Sequence, residues 1–302
     1  MVASWRGAGS LRRCLTGGHD RAILLLSGGA LKSRRRDAGK SLLILVFYAF
    51  ARELGPLKRR MKSRRAISDP HVRGFHGRIG STEIVAVATG IGFARSQVAA
   101  RRAFDLFPAA EIVLGTGVVG ALSSGLGAGD LIMADRILTT HATDGAGAAR
   151  LVAIIDDATL SELGRYLRAA GISYSTGALL TCHRVLGTGA DKRAAGDLTG
   201  AIAVDMETAA LASEAHVRGL RFAVVRAVMD SVDDMVVGAE MADEEGNVRP
   251  AAAAKFLIQN PGIAVRIPRM MQSLSRATRS LAAALEAIAT RGASGSVRSS
   301  RR

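Results

Sequence analysis

The sequence predicts an α/β fold: a single domain, over about residues 41–290, with a mixed or mainly parallel central sheet flanked by helices on both faces. Three observations predict it. Short β-branched apolar runs alternate with longer stretches of helical spacing, the runs are apolar throughout rather than at every second position, and the helical stretches stop at Gly or Pro. A strand that is apolar along its whole length has to be covered on both sides, which requires helices above and below the sheet.

In chain order, the first core strand falls at 42–47 and the second at 83–88, each rich in Ile, Leu and Val. A helix over 94–107 stops at Pro108. Strands at 111–114 and 130–134 follow, then a helix over 159–170 that stops at Gly171. Strands at 175–180 and 201–204 lead to a helix over 206–218 that stops at Gly219. A Val-rich strand at 221–228 comes last, and a long amphipathic helix over 261–288 closes the domain. Residues 1–40, Gly- and Arg-rich with the basic run 32–36, read as an extension outside the fold, and 291–302 as a basic tail.

The net charge of +15 would put nucleic acid first among partners, but its distribution argues otherwise. Residues 1–75 hold 17 basic against 4 acidic side chains and residues 266–302 hold 8 against 1, so the middle of the chain is net −5. Aromatic residues are only 4%, too few to provide stacking platforms for bases. No nucleic-acid partner is therefore expected. Two cysteines, Cys14 and Cys182, make no disulfide framework and no four-thiolate metal site. No apolar run approaches the roughly 20 residues that span a bilayer, and residues 22–26 are too short for a signal-peptide core. A cytoplasmic location is the expectation.

In such sheets ligands collect beyond the carboxyl ends of strands, so polar residues placed there are where chemistry is sought. Thr89-Gly90-Ile91-Gly92 follows a strand and opens a helix, which aims backbone N–H groups and a hydroxyl at an anion or a sugar. It lacks the third glycine of a dinucleotide fingerprint, since Arg95 stands in that place. A second glycine loop, Gly115-Thr116-Gly117-Val118-Val119-Gly120-Ala121, also sits past a strand. The segment Asp37-Ala38-Gly39-Lys40-Ser41 has Arg34 where a P-loop needs Gly and is followed by a strand rather than a helix. Three carboxylates lie at strand ends: Glu53, Glu207 in the first turn of its helix, and Asp230.

These pieces together resemble the nucleoside phosphorylase and nucleosidase family, in particular the 5′-methylthioadenosine/S-adenosylhomocysteine nucleosidases. The resemblance runs in order through Tyr48-Ala49-Phe50-Ala51-Arg52-Glu53, the two glycine segments with Gly129-Asp130, Ala203-Val204-Asp205-Met206-Glu207 and Val225-Arg226-Ala227-Val228-Met229-Asp230. It implies a three-layer phosphorylase/hydrolase-like domain, an enzyme that cleaves the N-glycosidic bond of a purine nucleoside or 5′-modified adenosine, and a homodimer or larger homo-oligomer. It implies Asp230 as the acid at the purine N7, Glu53 as the residue that orients or activates water, Glu207 gripping the ribose hydroxyls and Met206 packing on the sugar. Thr89, Gly90, Thr116, Gly117 and Val185 complete the expected substrate contacts. An oxocarbenium-like sugar needs an acid at its leaving group, negative charge nearby and a placed nucleophile, which is why carboxylates suit the task.

Two departures bear on substrate choice: Met229 stands where a Ser usually precedes the acid, and His183 where an Asp is usual in the base-binding loop. Neither a metal nor an organic cofactor is implied; phosphate would be a co-substrate if the enzyme is a phosphorylase, for which Arg95, Thr89 and Thr116 are candidate donors. Hopanoid-associated members acting on an adenosylated lipid form a variant, with residues 256–271 as the segment that would meet the lipid; membrane association is expected only in that case. A non-catalytic nucleoside-binding protein on the same fold is the alternative of a different class.

Overall fold

The computed structural model describes residues 25–26, 41–140, 149–236, 259 and 261–298. Cys14, the basic run 32–36, Phe256 and all but Ser41 of the Asp37–Ser41 segment lie outside the described residues.

The chain folds as a mixed α/β domain in which one sheet carries helices on both faces. Its first half lays down parallel strands: β2 (Leu43–Tyr48) pairs in parallel with β5 (Thr82–Ala88) on one side and with β6 (Ile112–Ala121) on the other. Between β2 and β5 the chain forms a short helix, α1 (Gly55–Arg60), and an antiparallel extension of the sheet, β3 (Lys62–Ala66) and β4 (Gly74–Ile79). Helix α2 (Phe93–Leu106) then connects β5 to β6.

The second half closes on β6. Strands β7 (Leu131–Thr139), β8 (Arg150–Ile155), β9 (Ser175–Thr181), β10 (Ala201–Asp205) and β11 (Phe222–Asp230) alternate with α3 (Asp157–Ala169), α4 (Gly189–Thr199) and α5 (Thr208–Val217). β6 pairs with β11, β11 with β7, β7 with β9, β9 with β10, and β10 returns to the end of β6. These five strands form a ring, with β2, β5, β4 and β3 continuing outward from β6 as an open wing. The strand β1 (Leu25–Leu26) adds in parallel to β8, so two apolar residues of the expected extension extend the sheet at that edge.

Two apolar layers hold the sheet. On one face Leu57, Leu163, Leu167 and the α6 (Ile267–Arg298) residues Leu281, Leu285 and Ile288 pack on β2 and β11. On the other, Ala100 and Phe104 of α2 and Leu211, Ala212 and Ala215 of α5 pack on β2, β5 and β11. Leu281 and Phe47 are fully buried, as core side chains that each contribute roughly 1.5–3 kcal/mol should be.

The structure corrects the sequence reading at four points. Residues 115–121 are strand, not a loop: β11 pairs along β6 from Val113 to Gly120, and β-branched Val118 and Val119 carry the strand through its glycines. Glu207 stands at the N-cap of α5 rather than within its first turn. The closing helix begins at Ile267 after a 3-10 turn, Pro261–Arg266, because Pro268 supplies no N–H for a helix running through it and is accommodated only in a first turn; it runs to Arg298, past residue 290. The wing strands β3 and β4, helices α1 and α4, and β8 carry no expectation from the sequence.

Candidate active site

β6 is the floor of the site, and its glycines are openings for side chains from elsewhere. Gly117 has φ +126°, and a Cβ there would stand 2.7 Å from Arg226 Nη1 and 2.8 Å from Glu53 Cδ. Only glycine leaves that space and holds that conformation at little cost.

Glu53 follows β2 in a tight turn. It is buried, with one oxygen accepting from the Ala49 and Phe50 N–H groups at 2.6 and 3.2 Å and the other from Val118 N–H at 2.8 Å. Burial raises its pKa, opposed by the neighbouring Arg226 guanidinium and by the three N–H groups. The result is a fixed carboxylate of increased basicity.

Arg226, midway along β11, and Asp205, at the end of β10, form a buried ion pair with both side chains 1% exposed. Arg226 also donates to the Thr116 carbonyl and to Thr208 Oγ1, while Asp205 accepts from Thr181 Oγ1 at 2.8 Å and from Thr208 N–H. Thr116 Oγ1 and Arg226 Nε are buried and have no hydrogen-bond partner among the described residues.

Glu207 does not cap its own helix. Its Oε1 accepts from Gly92 N–H at 2.8 Å, at the N-terminus of α2, and its Oε2 accepts from Met206 N–H at 3.3 Å. Burial first and Asp205 second push its pKa up to about 8, against the pull of Arg226 and the Gly92 N–H; Glu53 adds to the rise. Glu53, Glu207, Asp205 and Arg226 therefore form one electrostatic group.

Asp230 stands apart from it. The β6–β11 register shifts between Val228 and Asp230, leaving Met229 as the extra residue of a bulge that sets Asp230 opposite Gly120. Its partner is Lys192 of α4, a fully buried lysine. Burial raises the Asp230 pKa, Lys192 opposes that by charge and by hydrogen bonding, and Asp234 reinforces it.

Of the other expected contacts, Thr89 is buried with its hydroxyl turned to the Tyr48 and Gly90 carbonyls, and Gly90 donates to the Ala49 carbonyl, which ties this segment to the Glu53 turn. Met206 is half-buried beside Glu207. Val185 is 36% exposed and belongs to none of the buried apolar clusters. The loop that carries it reaches α2 through His183, whose ring lies 5.2 Å from that of Phe93. Among the described residues no group of three or more His, Cys, Asp or Glu is placed to hold a metal, and no helix is long and apolar enough to cross a membrane.

Comparison with known proteins agrees with this fold. The model of the phosphorylase superfamily matches residues 43–258, well over half of the chain. The chain belongs to the phosphorylase superfamily. It is 24% identical over 197 residues to the 5′-methylthioadenosine/S-adenosylhomocysteine nucleosidase of Staphylococcus epidermidis, covering 62% of this chain and 86% of that one. The Haemophilus influenzae nucleosidase of the same name is 26% identical over 196 residues, 61% of this chain and 84% of the relative. Among solved structures of the superfamily fold, the Neisseria meningitidis nucleosidase in complex with methylthio-immucillin-A superposes with TM-score 0.61 at 22% identity, covering 82% of this chain and 97% of that one. The futalosine hydrolase of Helicobacter pylori superposes with TM-score 0.60 at 18% identity, covering 81% and 97%.

Two features of the candidate site escaped sequence reasoning. Arg226 lies inside the Val225–Asp230 motif, yet nothing local marks it as the buried partner of Asp205. Lys192 lies in a helix that the sequence pattern does not predict, although the start of that helix is signalled: Thr188 is its N-cap and accepts from Asp191 N–H.

Proposed function

We propose that this enzyme of N-glycosidic bonds is a nucleosidase that hydrolyses a purine nucleoside or 5′-modified adenosine and releases the base, in the manner of the methylthioadenosine/S-adenosylhomocysteine nucleosidases. The observation that carries the reading is Glu53: a buried carboxylate fixed by three backbone N–H groups, made more basic by burial and set against a guanidinium. That is the environment of a base for water, not of a surface carboxylate.

The chemistry divides between the two environments. Water held at Glu53 attacks C1′ as the C1′–N9 bond breaks; the bonding pair passes into the purine, Asp230 gives its proton to N7, and Glu53 takes the proton of the water. Glu207 keeps lone pairs for ribose hydroxyls after its bond to Gly92 N–H, and once the ribose has expelled its proton it supplies negative charge to the developing oxocarbenium. Burial raises the pKa of both carboxyl groups, which suits Asp230 to give a proton and Glu53 to take one.

The test is release of adenine from 5′-methylthioadenosine and other 5′-substituted adenosines by the purified protein, with and without phosphate. Phosphate-independent release is expected. Strict dependence on phosphate would make the enzyme a phosphorylase, and nucleoside binding without release would overturn the catalytic reading.

A further inference from the structure

Lys192 is the only buried lysine among the described residues, and a lysine is rarely buried without a charged partner. Its ammonium has three donors and three acceptors: Asp230 Oδ2, the Ser231 carbonyl at 2.9 Å and the Asp234 carbonyl at 2.8 Å. Asp234 in turn fastens the same turn, accepting from Ser231 N–H and Oγ at 2.8 Å each.

Helix α4 is shaped to deliver this group. Lys192 is its one buried residue, and the helix approaches its neighbours through glycines. A Cβ on Gly189 would stand 3.0 Å from the Val232 carbonyl, and one on Gly196 2.7 Å from the Leu122 carbonyl. Val236 N–H also donates to the Gly187 carbonyl at 3.0 Å, joining the segment before α4 to the turn after β11.

We propose that Lys192 is the positioning residue of the acid: it pins one carboxylate oxygen of Asp230 and the turn that follows, so that the other oxygen is presented to the leaving base. This rests on Asp230 serving as the acid. As the proton leaves Asp230 for N7 and the C1′–N9 pair enters the purine, a full negative charge forms on the carboxylate, and the ammonium is already in contact with it. Lys192 thus favours the state reached in the transition state over the protonated ground state, which is the condition for an electrostatic contribution to rate. The charged groups around the pair are Asp234 and Asp233 on the turn, the latter in a surface ion pair with Arg193, and Arg266 and Arg269 around the start of the closing helix, which line the same cavity as Asp230.

The experiment is a titration together with a leaving-group comparison on the full chain. In K192M the ionisation of Asp230, followed by carboxyl 13C resonances, is expected to move up by at least about one pH unit, as losing a contacting opposite charge typically does. Adenine release from 5′-methylthioadenosine should fall on the order of 10²-fold in kcat, with KM nearly unchanged. Release of p-nitrophenol from p-nitrophenyl β-ribofuranoside, whose leaving group needs no proton, should change far less; a helix needed only for folding would lower both alike. If K192M does not fold, isosteric D230N decides: the Lys192 ammonium 15N resonance should shift. Unchanged Asp230 titration in folded K192M, equal loss on both substrates, or an unmoved ammonium in D230N would overturn the proposal. A wild-type protein that releases no base fails the nucleosidase reading, while the two resonances still decide the pairing.

Discussion

Gly120 of β6 lies directly opposite Asp230 of β11, and a Cβ on Gly120 would stand 3.0 Å from Asp230 Oδ2. The Asp230 carboxyl group rests on bare backbone, with the Val204 side chain 3.4 Å from the same point on the other strand. Gly120→Ala therefore displaces the carboxyl group and leaves the strand intact, since Gly120 has no positive φ. Misplacing a catalytic group by ~1 Å costs about 10²-fold in rate, so the shift of a few tenths of an ångström required here predicts a smaller, severalfold loss. Steady-state kinetics should show that loss in kcat, with a thermal unfolding midpoint near that of the wild type.

Gly117→Ala should do more damage and of a different kind. Its Cβ would press on Glu53 and Arg226, and its φ of +126° is one that L side chains rarely adopt. Backbone strain of that sort costs about 1–3 kcal/mol, to which the crowding of two fixed charges adds. Urea unfolding should show destabilisation of at least that size together with loss of activity. A variant of wild-type stability would mean that β6 relaxes at this point.

Arg226 and Asp205 make a sharper case, because breaking a buried pair and replacing it have different consequences. Arg226→Leu leaves Asp205 buried with only hydroxyl and N–H partners, a loss of about 3–5 kcal/mol. In the double variant with Asp205→Leu the Asp205 charge goes with its partner, so part of that stability should return in chemical unfolding, the rest being lost with the guanidinium that faces Glu53 and Glu207. Activity should not return, since Glu53 would have lost the guanidinium beside it.

How far the sequence discloses this molecule depends on whether a feature is written locally. β2, β5 and β11 are legible because both faces of each are buried, which leaves unbroken apolar runs. The wing strand β3 reads Lys-Ser-Arg-Arg-Ala and is exposed throughout, so no apolar pattern marks it. Helix α4 has Lys192 as its one buried side chain, so it carries no apolar stripe at helical spacing. The strand-end carboxylates Glu53, Glu207 and Asp230 could be picked out by residue type and position. Their environments could not, because Gly117 meets Glu53 only through the pairing of β2 with β6, and Lys192 meets Asp230 only once the second half of the chain has folded onto β6.

Glu207 gives a prediction with a definite sign. In the folded, unliganded protein burial and Asp205 hold its pKa at about 8, against an ordinary value of 4.5. Between those two pH values the folded chain keeps a proton that the unfolded chain releases. The Glu207 contribution to stability is thus fully present below the lower value and is lost as pH rises through the upper one. Glu207→Gln removes that slope, so its unfolding free energy should gain on the wild type with rising pH across this window and run parallel to it above pH 8. Ribose hydroxyls donate to the ionised carboxyl, so a ligand that reaches Glu207 must expel the proton. Titration calorimetry of a non-hydrolysable 5′-methylthioadenosine analogue at about pH 7, in buffers of different ionisation enthalpy, should therefore show proton release from the wild type and none from Glu207→Gln. Equal apparent heats for the wild type in every buffer would mean that the hydroxyls are held by some other group.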